Sequence, residues 1–174
     1  MKKRNLVLGM FAIAALSFTS CSDDDNSVND QTVIAGTYNL TEVNTQGATD
    51  FDKNGTSNVN QMKESSCYDD NKITLNSDGT LTYVVNSIIV NQTTGVAACG
   101  EDTVTGTWEK EGTGSDITIR VTYTQNGTNT TINLDKDGDK LTYTKSGLTA
   151  TYPDRNADGS AYYRSGSTEY VFVR

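Results

Sequence analysis

Residues 32–174 predict an all-β domain: a single antiparallel up-and-down β-barrel, or a strongly curved sandwich, of about eight short strands. Three observations carry that expectation. Apolar residues alternate with polar ones at period two, clusters of Gly, Asn and Asp cut the alternation into short pieces, and no stretch after residue 20 keeps helical spacing over three turns. In chain order, IAGTYNLTEV at 34–43 opens as a strand. Ile73 and Leu75 alternate, NSDG at 76–79 turns the chain, and Leu81, Tyr83 and Val85 resume, which is a hairpin signal. Val104, Gly106 and Trp108 mark the next strand. Ile117, Ile119, Val121 and Tyr123 mark another, closed by QNGT at 125–128. Ile132 and Leu134 follow, and DKDGDK at 135–140 turns into Leu141 and Tyr143. KSG at 145–147 then turns into Leu148, Ala150 and Tyr152, and Tyr170 and Phe172 close the chain.

Ahead of this domain stands a different kind of segment. Lys2, Lys3 and Arg4 precede a mostly apolar run from Leu6 to Phe18, and Ser17, Thr19 and Ser20 are the small residues a signal peptidase needs near its cut. The run is too short to span a bilayer core, which takes about 20 apolar residues. Residues 1–20 therefore read as a signal peptide. With Cys21 directly after the small residues, the segment resembles the lipobox of bacterial lipoproteins, although Phe18 stands where that motif usually has an aliphatic residue. The resemblance implies an acylated Cys21 as mature N-terminus, a lipid membrane as partner, and a place on the bacterial outer membrane. Two or more acyl chains make such an anchor stable. Residues 21–31 form an acidic flexible tether. Asp23, Asp24 and Asp25 look like the acidic signal that carries some Gram-negative lipoproteins to the cell surface; a solvated tail that holds the domain off anionic lipid is the other reading.

Charge and composition exclude several functions. Removing residues 1–20 strips three of the 14 basic residues and none of the 22 acidic ones, leaving a net charge of −11 and no basis for a nucleic-acid partner. The sequence has no histidine, so Ser-His-Asp and Cys-His catalysis and histidine-bound zinc are out. Glycoside cleavage needs one acid raised in pKa by an apolar pocket, whereas the acids here cluster in turns beside Gly and Asn. A non-enzymatic domain is expected.

IAGTYNLTEV at 34–43, SSCYDDNKITLNSDGTLTY at 65–83 and VTGTWEK at 104–110 resemble, in this order, the lipocalin-like domains of bacterial lipoproteins. Lipocalins carry G-x-W on the first strand. Here that strand has Gly36-Thr37-Tyr38, and the G-x-W spelling falls at Gly106-Thr107-Trp108. The resemblance implies a barrel that holds a small apolar molecule. Trp108, Ile117, Ile119, Tyr123, Leu134 and Tyr143 share strand faces and are the expected cavity lining, or equally the filling of a closed core. A filled core would make the domain an interaction module beside an outer-membrane assembly, with a protein partner the sequence does not name.

Cys67 and Cys99 are the cysteines of the mature domain, and export into an oxidising compartment favours a disulfide between them; free buried thiols and a metal or redox pair are the alternatives. Two loops match the first six positions of an EF-hand-type calcium loop. Asp50, Asp52 and Asn54 precede Gly55, and Asp154, Asn156 and Asp158 precede Gly159. Gln61 and Ser165 occupy position 12, and Glu64 and Glu169 come late, so calcium and plain turn chemistry both remain open.

Overall fold

The computed structural model describes residues 33–174; the segments expected to be a signal peptide (1–20) and a tether (21–31), with Cys21, lie outside the described residues. Alternation fixes the strands: β1 (Gly36–Thr49), β2 (Asn58–Asn60), β3 (Lys72–Leu75), β4 (Thr80–Val84), β5 (Ser87–Asn91), β6 (Val96–Gly100) and β7 (Thr103–Thr113). β8 (Asp116–Gln125), β9 (Thr128–Asp137), β10 (Lys140–Lys145), β11 (Thr151–Arg155), β12 (Ala161–Ser165) and β13 (Thr168–Val173) complete the set. Eight of them close into an antiparallel up-and-down barrel in the order β1-β3-β4-β7-β8-β9-β10-β13, sealed by β13 pairing back onto β1 from Asn39↔Val173 to Thr45↔Thr168. β2 adds one short extra strand beside β1.

The lower barrel is filled. Tyr38, Ile73, Leu75, Leu81, Trp108, Ile119, Val121, Leu134, Leu141 and Phe172 are all buried within it, as an eight-stranded barrel of this width requires. Gly106-Thr107-Trp108 supplies the base: the Trp108 indole N–H donates to the Asn76 carbonyl at 2.8 Å across the β3–β4 turn. Gly106 is required by close approach, because a Cβ there would lie 2.0 Å from the Thr122 carbonyl oxygen on β8. The Tyr38 hydroxyl donates to the Ile34 carbonyl at 2.8 Å, and Arg174 donates to the Val33 carbonyl at 2.9 Å. The chain therefore enters the barrel at its base.

Up-and-down alternation sends all three long connections to the opposite end, the mouth. The first, between β1 and β3, carries β2 and two single 3₁₀ turns at Gln61–Lys63 and Ser66–Tyr68. The second is the β5–β6 hairpin, and the third is the β11–β12 hairpin. They interlock into a cap. Cys67 and Cys99 form a disulfide joining the first to the second, the Ala161 N–H donates to the Gly95 carbonyl at 2.8 Å, and Arg155 Nε donates to the Phe51 carbonyl at 2.7 Å.

Two features depart from the sequence expectation. Leu148 is fully exposed rather than in a strand, because Gly147 takes φ +109 and the Ala150 N–H donates back to its carbonyl, which delays β11 to Thr151. The β5–β6 hairpin fills a stretch between Val85 and Val104 in which the sequence pattern marks no strand. Ile88 and Val90 are buried while Ile89 and Val96 stay exposed, so the hairpin packs on one face only.

The disulfide spans 32 residues. Replacing Cys67 and Cys99 together by Ser should lower stability by about 2–4 kcal/mol, a fall of roughly 6–15 °C in Tm by thermal melt. An unchanged melt would show that the cap contributes nothing to holding the fold.

Candidate functional site

The barrel wall is split near the mouth. β8 and β9 pair from Ile117↔Lys136 to Gln125↔Thr128, whereas β9 and β10 pair only from Lys140↔Asp137 to Thr142↔Asp135. Beyond Thr142, β10 stays with β13, placing Tyr143 opposite Tyr170. The upper parts of β9 and β10 thus diverge, and a cleft of about 440 Å³ lies there beneath the cap. Thr130 and Ile132 of β9, Tyr143 and Lys145 of β10, and Thr151 and Pro153 of β11 form its sides.

Its floor is aromatic. Six of the nine tyrosines line the cleft, so this residue type is concentrated where the barrel opens. Tyr83 meets Tyr123 edge-on with centroids 5.8 Å apart and Phe172 at 6.0 Å, while Tyr143 stacks on Tyr170 at 5.9 Å. Such pairs hold ring orientation beyond what burial alone gives. Burial pushes the Tyr83, Tyr123 and Tyr143 hydroxyls above the usual phenol value, and that of Tyr170 up to about 12. All four stay protonated at physiological pH. The Tyr163 hydroxyl sits in the cap, accepting from the Val90 N–H at 3.1 Å and tying β12 to β5.

Of the six residues expected to line a cavity, Tyr123 and Tyr143 do so. Trp108, Ile119 and Leu134 are packed into the filled lower barrel, and Ile117 is half-buried near the base beside a separate recess with Asp116 and Lys136. The reason is depth: these residues share a face, but the base-proximal ones meet facing strands before any space is left. Tyr83 and Tyr170 are not singled out by the sequence reading. A signal was present, since each continues the alternation of Leu81 or Phe172 toward the mouth end of its strand.

The first acidic loop folds back on the cap. Asp50, Asp52 and Glu64 bring one carboxylate oxygen each to within 4.8 Å of one another. Glu64 is buried and accepts the Phe51 N–H at 2.9 Å, Asp50 accepts the Gly55 N–H, and Asp52 accepts from Asn54. The Asn54 side-chain oxygen turns to the Thr56 N–H at 2.7 Å, and Gln61 is directed to Thr49. The second loop is built otherwise, as the β11–β12 hairpin. Asp154 faces Arg164 at 3.4 Å, Asp158 accepts both the N–H and hydroxyl of Ser160, and the Asn156 amide donates to the Ser160 hydroxyl. The same pattern closes NSDGT at 76–80, where Asp78 holds Thr80. Strand pairing thus sets Asp154 opposite Tyr162, whose hydroxyl donates to it at 3.3 Å, with Arg164 reaching it diagonally; Asp158 lies in the turn, and Glu169 lies on β13.

Comparisons with family models, with curated proteins and with solved structures found no match.

Burial, the largest influence, and then the charges of Asp52 and Asp50 push the Glu64 carboxyl up from its ordinary 4.5, against lowering by the Phe51 and Asp52 N–H groups. Between the ordinary and the raised value the folded state keeps a proton that the unfolded chain has lost, so stability falls as pH rises through that window and stays lower above it. Glu64→Gln keeps the shape and an acceptor for Phe51. In EDTA it should match or exceed wild-type stability at pH 7, with its advantage shrinking below about pH 4.5. Denaturant melts across pH check this, and a wild type clearly more stable at pH 7 would contradict it.

Proposed function

We propose that the chain is a lipoprotein of the bacterial outer membrane, anchored through Cys21 and displayed at the cell surface, whose lipocalin-like barrel binds a small, largely apolar molecule without catalysis. The observation that carries the binding reading is the cleft at the split mouth. Its volume of about 440 Å³ falls within the usual range for small-molecule sites, and its aromatic floor is ringed by polar side chains, among them Asn71, Asn86, Gln125, Thr130 and Thr151. Orientation supports it as well. The described chain enters at the base, beside Arg174, so a tether from Cys21 attaches at the end of the barrel opposite the mouth. A tether of residues 21–31 reaches at most about 40 Å when extended. The ligand then comes from the medium rather than from the membrane.

Thr130→Trp places an indole in the cleft from β9. Saturable binding of N-phenyl-1-naphthylamine, followed by fluorescence, should weaken at least about tenfold in this variant while Tm moves by no more than about 2 °C. If wild type binds neither this probe nor its sulfonated analogue, the filled lower barrel favours the interaction module. Anchoring has its own test: wild type should partition into detergent and Cys21→Ala into water.

Calcium belongs to this reading at the first loop, supported by the convergence of Asp50, Asp52 and Glu64. Millimolar calcium should raise Tm by about 3–6 °C over EDTA if it exceeds Kd tenfold, and Glu64→Gln should abolish the shift. Identical melts return the loop to turn chemistry.

A further inference from the structure

Tyr83, Tyr123, Tyr143 and Tyr170 present hydroxyls that make no hydrogen bond among the described residues, although all four rings line one cleft and are held by edge-on or stacked contacts. Their rings are buried or half-buried, while the four hydroxyl oxygens keep contact with solvent in the cleft. All four open into the same space. No Asp or Glu lines that space, in a chain whose formal net charge is −8, and its single charged residue is Lys145 at the rim. The Lys145 ammonium is exposed and has no ion-pair or hydrogen-bond partner among the described residues. Nearby amides are committed elsewhere: Asn71 and Asn86 bond each other across the β3–β4 ends, and the Gln125 amide donates to Asp102 at 2.8 Å.

We propose that this cleft takes a small organic anion, an apolar or aromatic body bearing a carboxylate or sulfonate, with the four tyrosine hydroxyls donating to its oxygens and Lys145 supplying the countercharge. The inference rests on the cleft being a binding site and adds the chemical class of its ligand. Binding sites for neutral polyols need acceptors for many hydroxyls, and carboxylates are the strongest acceptors a protein has; this cleft has none. Donors fixed in an aromatic, partly desolvated setting favour the opposite partner. Because burial keeps the phenols protonated, they act as donors and not as phenolate ligands. Hydrogen bonds to a charged acceptor are about twice as strong as neutral ones, so the charged head decides selectivity.

The test uses two probes with the same body, 1-anilinonaphthalene-8-sulfonate and N-phenyl-1-naphthylamine, which differ by the sulfonate. The sulfonate probe should saturate one site and bind at least about tenfold more tightly than the neutral one. Tyr143→Phe with Tyr170→Phe keeps both rings and should weaken the sulfonate probe about five- to tenfold while leaving the neutral probe unchanged. Lys145→Gln, at the exposed rim where folding is not at risk, should weaken only the sulfonate probe and flatten its salt dependence. Equal affinity for both probes, unaltered by these substitutions, overturns the anion class while the cleft remains a binding site. Saturable binding of neither probe overturns the class and the binding reading together.

Discussion

Pairing of β13 with β1 closes the sheet, and the arrangement of the mouth depends on that closure. Once eight antiparallel strands form a ring, each connection must leave from the end at which its strand stops. β1, β4 and β10 all run toward the mouth, so the three long connections that follow them meet there. The base receives only tight turns and the entry of the chain. Packed side chains at the base and long connections at the mouth are thereby separated along one axis, and loops of this kind commonly carry binding residues.

The cap is held by links of different kinds. A disulfide joins the first connection to the second; Arg155 lies 4.5 Å over the Phe51 ring and donates to the Phe51 carbonyl, joining the third to the first. Tyr163 and Ala161 join the third to the second. With the cap fixed independently, the upper ends of β9 and β10 need not pair with each other. That divergence leaves a row of strand-edge groups without a sheet partner, and it opens the wall laterally onto four tyrosine rings.

Period two was enough to read the barrel strands, because the inward residues from Ile73 to Phe172 follow it strand by strand. The pairing of Cys67 with Cys99 was legible for a different reason, since residues 32–174 hold two cysteines and each offers the other one partner. Depth along the barrel was not legible. Ile119 and Tyr123 lie on the same face of β8, yet one is sealed in the core and the other faces the cleft, and alternation does not distinguish them. Loop spelling does not distinguish geometry either. D-x-N-x-D-G at 154–159 and D-x-D-x-N-G at 50–55 spell alike, but the first lies in paired strands and the second in a connection free to curl toward Glu64. What separates them is tertiary pairing, which a local motif does not contain.

The split wall is the claim on which the site rests, and amide hydrogen exchange along β9 measures it directly. In the unliganded domain, alternate amides of residues 129–134 that point away from β8 should exchange fast, while those pointing toward β8, and the amides of Lys136 and Asp137 near the base, should be slow. Uniformly slow exchange along the whole of β9 would mean that β9 and β10 are zipped to the mouth, and would contradict a lateral cleft.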